Sequence, residues 1–311
     1  MSKAQPINLA ASVKTRLLQL SRKQREDFNF LLTRYCNERL LYRITKSAQG
    51  KAFVLKGAML FAVWTGRMHR PTQDLDLLGL GDNSGEVLLR AFHDICTMRV
   101  EPDGLVFKPD SVRVEEIGED QEYKGQRVRL VAMLGKANVP LQVDIGFGDA
   151  VTPKAEMVEY PTLLDFPAPC LPAYPKETVV SEKLQAMVAL GIPNGRMKDF
   201  HDVWTMSQEF GFDGRILGKA IRATFARRQT RIPDTAPLAL TEEFANNPVE
   251  VKIWEGFIKK TRLVPGGLRL PRIITDLNDF LMPPLLAMAQ GPVFKAMWPP
   301  KGPWSKEPLS S

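Results

Sequence analysis

The chain has 311 residues, 44% of them hydrophobic and 25% charged, which excludes wholesale disorder and allows a large core. A net charge of +7 is compatible with an anionic partner but does not identify one. The cysteines follow no disulfide or metal spacing, and the chain shows neither a signal peptide nor an apolar run of membrane-spanning length, so we expect a soluble protein of the reducing cytoplasm without a membrane partner.

Helical periodicity dominates the first 45 residues, and a strand-rich zone follows. The strands are predicted at 52–55, 75–80, 126–134 and 140–147, and the last two form a hairpin around a turn at 135–138. Gly57 is predicted to turn the chain into a helix, and 86–98 forms another. This order predicts an α+β fold, a mixed sheet flanked by helices, for residues 1–160.

The character of the sequence changes near residue 160. Five prolines in YPTLLDFPAPCLPAYPKE favour an extended connector over a helix or strand. Beyond it the sequence predicts a mainly helical C-terminal domain, residues 161–311, with helices at 178–190, 197–210, 216–228, 248–260 and 273–282. The proline-rich tail from Pro292 is expected to wrap around the domain or fray.

The stretch RPTQDLDLLGLG places two carboxylates at the start of an apolar strand. Asp74 and Asp76 lie two residues apart, so their side chains point to the same face of the sheet. Two like charges at this spacing are tolerable if they are solvated, if Arg70 neutralises them, or if a divalent cation lies between them. For an isolated D-x-D the solvated strand end is the simpler interpretation.

Two neighbouring motifs favour the cation. Asp144 is a third carboxylate, set in the apolar strand LQVDIGF, which could lie beside the first. The turn Lys56-Gly57-Ala58 offers backbone N–H groups to a phosphate. Three carboxylates facing a glycine turn are the components of two-metal phosphoryl chemistry, for which Mg²⁺ suits the oxygen ligands.

The order of these motifs resembles the nucleotidyltransferase fold of polymerase-beta type. More narrowly, KGAMLFAVW, RPTQDLDLLG, PLQVDIGFGDAV, YPKETVVSEKLQAMV and RMKDFHDVW are similar to the AbiEii toxin nucleotidyltransferases, relatives of the mycobacterial MenT toxins, over about residues 17–231. The resemblance implies the toxin of a type IV toxin–antitoxin pair. Such a toxin transfers a nucleotide from an NTP to RNA, with the tRNA 3′ end as the expected acceptor, and has a cognate AbiEi-like antitoxin encoded nearby.

The resemblance also assigns roles to individual residues. Mg²⁺, with Mn²⁺ as an alternative, is expected on Asp74, Asp76 and Asp144, and Asp144 could also activate the acceptor hydroxyl. The C-terminal domain is expected to complete the active site, so that the catalytic residues are Asp74, Asp76, Asp144, Lys183 and Asp199. The expected nucleotide-binding residues are Lys56, Gly57, Ala58, Arg70, Thr72, Lys183 and Lys198. The chain departs from the family pattern at Ala58, where many nucleotidyltransferases have serine.

Two predicted helices carry charge where apolar residues are expected. Lys183 falls inside the apolar arc of the helix at 178–190, where its ammonium either extends to an edge or reaches a ligand. The E-K-L pattern of the family favours contact with the triphosphate. Asp199 falls at the edge of the next apolar arc, where it could pair with Lys183 or Arg196, or contact nucleotide or acceptor. Asp202 is expected to be solvated or supportive.

A third feature is the run Gly214–Arg231, which contains six basic residues and no acidic one. A charged helix face is usually only a solvated face. Six cations without a carboxylate among them nevertheless suggest a footprint for a phosphate backbone. The residues expected to bind RNA are Arg215, Lys219, Arg222, Arg227 and Arg228.

Two other functions remain open at the level of sequence. The same fold could modify a hydroxyl on a protein or small molecule, or the chain could be a non-catalytic module that binds nucleotide or RNA. Release of pyrophosphate separates the enzymes from the binding module.

Overall fold

The computed structural model describes residues 8–117, 125–190, 196–261, 268–291 and 293–306. The chain folds into two compact units. The first comprises Met1–Gly148 and Glu156–Ala173, and the second comprises Asp149–Ala155 and Tyr174–Ser311.

The helices of the first unit begin at residues that suit helix starts. Helices α1 and α2 cover Leu9–Gln24 and Phe28–Lys46. Before α1 the side chain of Asn8 accepts a hydrogen bond from the N–H of Ala11, and before α2 the side chain of Asp27 accepts from the N–H groups of the second and third helical residues. Helices α3 and α4 cover Leu60–Thr65 and Gly85–Thr97. Short 3₁₀ turns occupy Gly50–Ala52 and Gly57–Met59.

Within the described part of the first unit, seven strands form one mixed sheet in the order β3-β4-β5-β2-β1-β7-β6. The pairs β2–β5 and β1–β7 are parallel, and the other neighbours are antiparallel. The strands are β1 Phe53–Lys56, β2 Asp74–Gly79, β3 Leu105–Ile117, β4 Gly125–Leu134, β5 Ala137–Phe147, β6 Glu156–Glu159 and β7 Cys170–Ala173. The prediction of an α+β fold with a mixed sheet is confirmed.

Three strands of the sheet differ from the sequence-based expectation, and for β6, Glu156–Glu159, the sequence predicted neither a strand nor a helix. No strand was predicted for β3, where Pro109-Asp110-Ser111 interrupts the alternation and the register with β4 shifts between Lys108 and Arg113. The interpretation of the proline-rich segment as a connector is wrong for its end, since Cys170–Ala173 is β7. Because β7 lies between β1 and β6, the first unit extends to Ala173.

One face of the sheet is buried. In β5 the alternate residues Val139, Leu141, Val143 and Ile145 are buried, and α2 and α4 pack against the sheet. The intervening side chains of β5 are half-buried or exposed. Polar residues that alternate with this apolar set therefore share the other face.

Helix α2 carries buried charges. Arg39 and Arg43 both donate to Asp103, at 3.1 Å from Nε of Arg39 and at 2.6 and 3.1 Å from the two terminal nitrogens of Arg43. All three side chains are buried. Breaking such a pair leaves an uncompensated charge, so the cluster fixes α2 against the loop that precedes β3.

The second unit is mainly helical, as predicted. Helices α5 to α10 cover Lys176–Leu190, Met197–Glu209, Gly214–Arg227, Glu242–Asn246, Pro248–Thr261 and Leu270–Gln290. Two short strands, β8 Phe212–Asp213 and β9 Met297–Trp298, pair antiparallel. The tail beyond Pro292 thus contains a strand. In the portion of the chain that the structure describes, no helix combines the length and apolarity needed to cross a bilayer.

Candidate active site

Neighbouring strands place a row of charged side chains, called here the carboxylate row, across one face of the sheet. In the register, Lys56 of β1 lies opposite Asp76 of β2, and Asp76 lies opposite Asp144 of β5. Arg127 of β4 lies opposite Asp144, and Glu115 of β3 follows it. Residues opposite each other on neighbouring strands bring their Cβ atoms to about 5 Å. Asp76 and Asp144 therefore lie side by side.

Asp74 belongs to the same face, one pleat away from Asp76. Its register partner is Gln142, so β5 presents Gln142 and Asp144 beside the two aspartates of β2. All four side chains are half-buried, whereas Leu75 between the aspartates is fully buried. The structure thus brings together the three carboxylates that the sequence singled out.

The turn at Gly57 lies against Asp76. Gly57 has a φ of +75°, and a Cβ built on it would overlap Oδ2 of Asp76 and lie 2.7 Å from the Cβ of Asp76. Only glycine fits both the left-handed backbone and this contact. The next residue, Ala58, is buried at 3% exposure, so residue 58 faces the interior.

Asp144 is held by a guanidinium that the sequence analysis missed. Arg127 donates from Nε to Oδ1 of Asp144 at 2.7 Å and from Nη2 to Oδ2 at 2.8 Å. Gln142 donates to Oδ2 of Asp144 at 3.3 Å. Hydrogen bonding to Asp144 raises the pKa of Arg127, and the charges of Asp144, Asp74 and Glu115 act in the same direction. Such a bidentate pair fixes the orientation of the carboxylate.

The loop before β2 holds two predicted nucleotide ligands. Arg70 and Thr72 are half-buried, and Arg70 donates to the carbonyl of Pro71 at 3.4 Å. The buried Asn37 of α2 donates to the carbonyl of Gln73 at 3.0 Å. Asn37 therefore anchors the loop directly before the first aspartate, a role without a sequence signal.

The residues of this row fit a divalent cation. Asp74, Asp76 and Asp144 offer only carboxylate oxygens, the donor type that Mg²⁺ prefers. The missing Cβ of Gly57 leaves room for the carboxylate of Asp76. Arg127 already uses both oxygens of Asp144, so Asp74 and Asp76 are the stronger ligand candidates.

In the second unit, Lys183 of α5 lies between two carboxylates of α6. Its Nζ is 2.5 Å from Oδ1 of Asp199 and 2.9 Å from Oδ2 of Asp202. The structure therefore shows the Lys183–Asp199 pair that was one of the predicted alternatives. Asp202 was expected to be solvated or supportive; its side chain is fully buried beside Lys183, which excludes the first alternative and agrees with the second. Lys198, a predicted nucleotide ligand on α6, is exposed.

The basic run forms α7 and the turn that follows. One face of the helix is buried, and it comprises Leu217, Ala220, Ile221, Thr224 and Phe225. Lys219, Arg222 and Arg227 are exposed.

Carboxylates from outside the run pair with several of its cations. Arg215 pairs with Asp213 at 2.6 Å, and Arg231 pairs with Asp234 at 2.9 Å. Arg228 is half-buried and lies 3.2 Å from Asp149 of the same unit. The run itself contains no carboxylate, as the sequence indicates, but carboxylates outside it lie close enough to neutralise at least these three cations.

Comparison with known families decides the identity. The model of the nucleotidyl transferase AbiEii toxin family, type IV toxin–antitoxin system, matches residues 39–267. The chain belongs to this family.

AbiEii membership makes the chain a nucleotidyltransferase toxin of a type IV system, and it implies an NTP substrate and an antitoxin partner. The matched range includes the carboxylate row and the Lys183–Asp199 pair. No curated protein matches the AbiEii chain.

Two solved structures resemble the chain at 15% identity. JHP933 from Helicobacter pylori has a TM-score of 0.45 over 81% of this chain and 87% of its own. A second H. pylori structure, described as that of a candidate nucleotidyltransferase, has a TM-score of 0.44 over 81% of this chain and 89% of its own.

Proposed function

We propose that this AbiEii toxin transfers a nucleotide from an NTP to RNA, with the tRNA 3′ end as acceptor, and releases pyrophosphate. The observation that carries the proposal is the register of β2 and β5. It places Asp144 beside Asp76 and puts Asp74 on the same face. The cognate antitoxin is proposed to be an AbiEi-like protein encoded nearby.

The reaction is an in-line displacement at the α-phosphorus. A ribose hydroxyl forms the new O–P bond, the bond between the α-phosphorus and its bridging oxygen breaks, and pyrophosphate leaves with the electron pair. Asp144 is the carboxylate proposed to receive the hydroxyl proton. Mg²⁺ or Mn²⁺ held by Asp74 and Asp76 would polarise the phosphate oxygens and neutralise developing charge. The protein contributes mainly positioning and electrostatic stabilisation.

The phosphates of the nucleotide are proposed to bind to basic side chains and to backbone N–H groups. Lys56 lies opposite Asp76 in the register, and Arg70 and Thr72 precede Asp74 by four and two residues. Ala58 has no hydroxyl for a phosphate, so these groups and the turn at Gly57 take over that contact. Lys183 is proposed to bind the triphosphate, with Asp199 fixing its ammonium; exposed Lys198 adds charge.

The acceptor is proposed to bind the exposed cations of α7. Lys219, Arg222 and Arg227 carry this proposal because their side chains are exposed, and Arg215 contributes less because it pairs with Asp213. Contacts to a phosphate backbone weaken steeply with salt, which distinguishes RNA from a small-molecule acceptor.

Incubation with each α-labelled NTP and total tRNA tests the reaction. We expect wild-type protein to label tRNA, and Asp76→Asn and Asp144→Asn to reduce the rate by at least about 100-fold. Asp110→Asn is the matched control, because Asp110 is an exposed aspartate of β3 in the same sheet, and it should keep full transfer. Absence of label from tRNA with wild-type protein, or equal transfer by Asp76→Asn, refutes the proposal.

The acceptor is tested in the same assay. Replacing Lys219, Arg222 and Arg227 together by glutamine should abolish labelling of tRNA at physiological salt while nucleotide binding persists. The control removes the same charge from α9 through glutamine at the exposed Lys252, Lys259 and Lys260. Equal transfer by both triple variants contradicts the α7 footprint. Label in protein or small molecules instead of tRNA favours the alternative acceptors.

A further inference from the structure

Arg127 occupies a position in the carboxylate row that the proposed reaction does not explain. Both oxygens of Asp144 accept from its guanidinium, at 2.7 and 2.8 Å. The side chains of Arg127 and Asp144 are 27% and 21% exposed, so the pair is partly shielded from water. On its other side in the register, Arg127 faces a second carboxylate, Glu115.

A guanidinium beside a carboxylate competes with a divalent cation. It shares the oxygens of the carboxylate, and its positive charge repels the cation. A unit charge and a double charge about 6 Å apart repel strongly enough, even at the dielectric constant of water, to weaken binding about tenfold. Each carboxylate oxygen has a second lone pair, so the competition weakens metal binding without preventing it.

We propose that Arg127 is a positioning residue that makes metal loading depend on the nucleotide. In the free protein it holds Asp144 in the row and lowers the affinity of the site for divalent cations. An arriving triphosphate adds negative charge, which offsets the guanidinium and lets cation and nucleotide bind together. Glu115 offers Arg127 a second acceptor in the same row when Asp144 is engaged. The inference rests on the proposed role of the carboxylates in the transfer reaction.

Titration with Mn²⁺ alone, followed by electron paramagnetic resonance, tests the inference on the full chain. Arg127→Met should bind Mn²⁺ about tenfold more tightly than wild type without nucleotide. With a non-hydrolysable NTP analogue, the difference should fall below about twofold. Asp76→Asn should lose Mn²⁺ binding, which locates the ion in the row.

Arg129→Met is the matched control. Arg129 lies on the same strand and face, pairs with Glu115 at 3.0 Å and is 54% exposed, so the same loss of charge should change Mn²⁺ affinity less than about twofold. If the methionine variant fails to fold, Arg127→Gln replaces it. A structural role alone would not tighten metal binding.

Equal or weaker Mn²⁺ affinity in the Arg127 variants overturns the inference. Equal tightening by Arg129→Met also overturns it, as does an absence of Mn²⁺ binding in every variant with or without the analogue. These failures differ from failure of the proposed function, which shows as a wild-type protein that transfers no label to tRNA.

Discussion

At the scale of single residues, the site depends on an absent Cβ. Gly57 permits both a left-handed backbone and the approach of Asp76, whose carboxylate lies where a side chain at residue 57 would begin. Gly66 offers a natural comparison, because its φ is +73° but, among the residues that the structure describes, no heavy atom beyond its chain neighbours lies within 4 Å of a Cβ built there. A comparison of substitutions at Gly57 and Gly66 therefore separates the effect of backbone strain, present at both, from that of steric overlap, present only at Gly57.

We therefore predict different outcomes for Gly57→Ala and Gly66→Ala. Both should lose about 1–3 kcal/mol of unfolding free energy, because alanine is strained at positive φ. Only Gly57→Ala should also displace Asp76, which should reduce nucleotide transfer about 100-fold. Urea denaturation and the tRNA-labelling assay measure the two effects. Equal activity in the two variants would contradict the role of the close contact.

The acidic residues of the site could be predicted from sequence, but their partners could not. Asp74 and Asp76 are recognisable from spacing two within an apolar strand, and Asp144 from a carboxylate inside another apolar strand. Arg127 lies on the polar face of a strand that was predicted correctly. Its pairing with Asp144 depends on the register between β4 and β5, which alternation along one strand does not determine.

At the scale of elements, hydrophobic periodicity predicted those strands and helices whose sequence contains no proline or bulge that breaks the pattern. Strands β2, β4 and β5 and helices α5, α6, α7 and α9 were predicted to within about three residues of their observed bounds. Strand β3 was missed because a bulge and Pro109 break its alternation, and β7 because its residues lie among prolines. In both cases pairing with neighbouring strands overrides the local signal.

In helix α10, too, a tertiary contact overrides the local sequence signal, here at a pair of prolines. The sequence predicted an end near Met282, yet the helix continues through Pro283 and Pro284 to Gln290. Pro284 has no N–H to donate to the carbonyl of Phe280, four residues earlier. The indole of Trp304 donates to that carbonyl instead, at 2.8 Å. A distant side chain thus replaces the missing helical hydrogen bond.

We predict that Trp304→Phe destabilises the second unit by about 1–3 kcal/mol, because it leaves the carbonyl of Phe280 without a donor. In a Pro284→Ala background the restored N–H should satisfy that carbonyl, so the same substitution should cost at least about 1 kcal/mol less. The double-mutant cycle is measured by urea denaturation. Additive effects would show that the indole hydrogen bond contributes nothing.

At the scale of the whole chain, a buried charge in the first unit is expected to make the stability of the fold depend on pH. Helix α2 buries Glu38 completely, and one oxygen of Glu38 accepts from the backbone N–H of Leu163 at 2.7 Å. The other oxygen has no hydrogen-bond partner among the described residues, and the nearest cation is Arg39 at 3.6 Å. This contact ties α2 to the segment that leads into β7.

Burial raises the pKa of Glu38 from 4.5 to about 7, although the Leu163 amide and the charges of Arg39 and Arg34 oppose the shift. Between these two values the folded protein retains a proton that the unfolded chain releases. The retained proton therefore adds to the free energy of unfolding. This contribution of Glu38 is complete below about pH 4.5 and is lost as the pH rises through 7. Its size is on the order of 3 kcal/mol.

Glu38→Gln should remove this dependence on pH. The amide keeps an acceptor for the Leu163 N–H and carries no charge, so we expect the variant to be more stable than wild type at pH 8 and to lose that advantage at pH 5. The measurement is urea denaturation across this range, with the exposed Glu86→Gln as the control that should follow wild type. If Glu38→Gln is instead less stable at pH 8, the carboxylate is ionised and stabilised by Arg34 and Arg39, and burial does not dominate its titration.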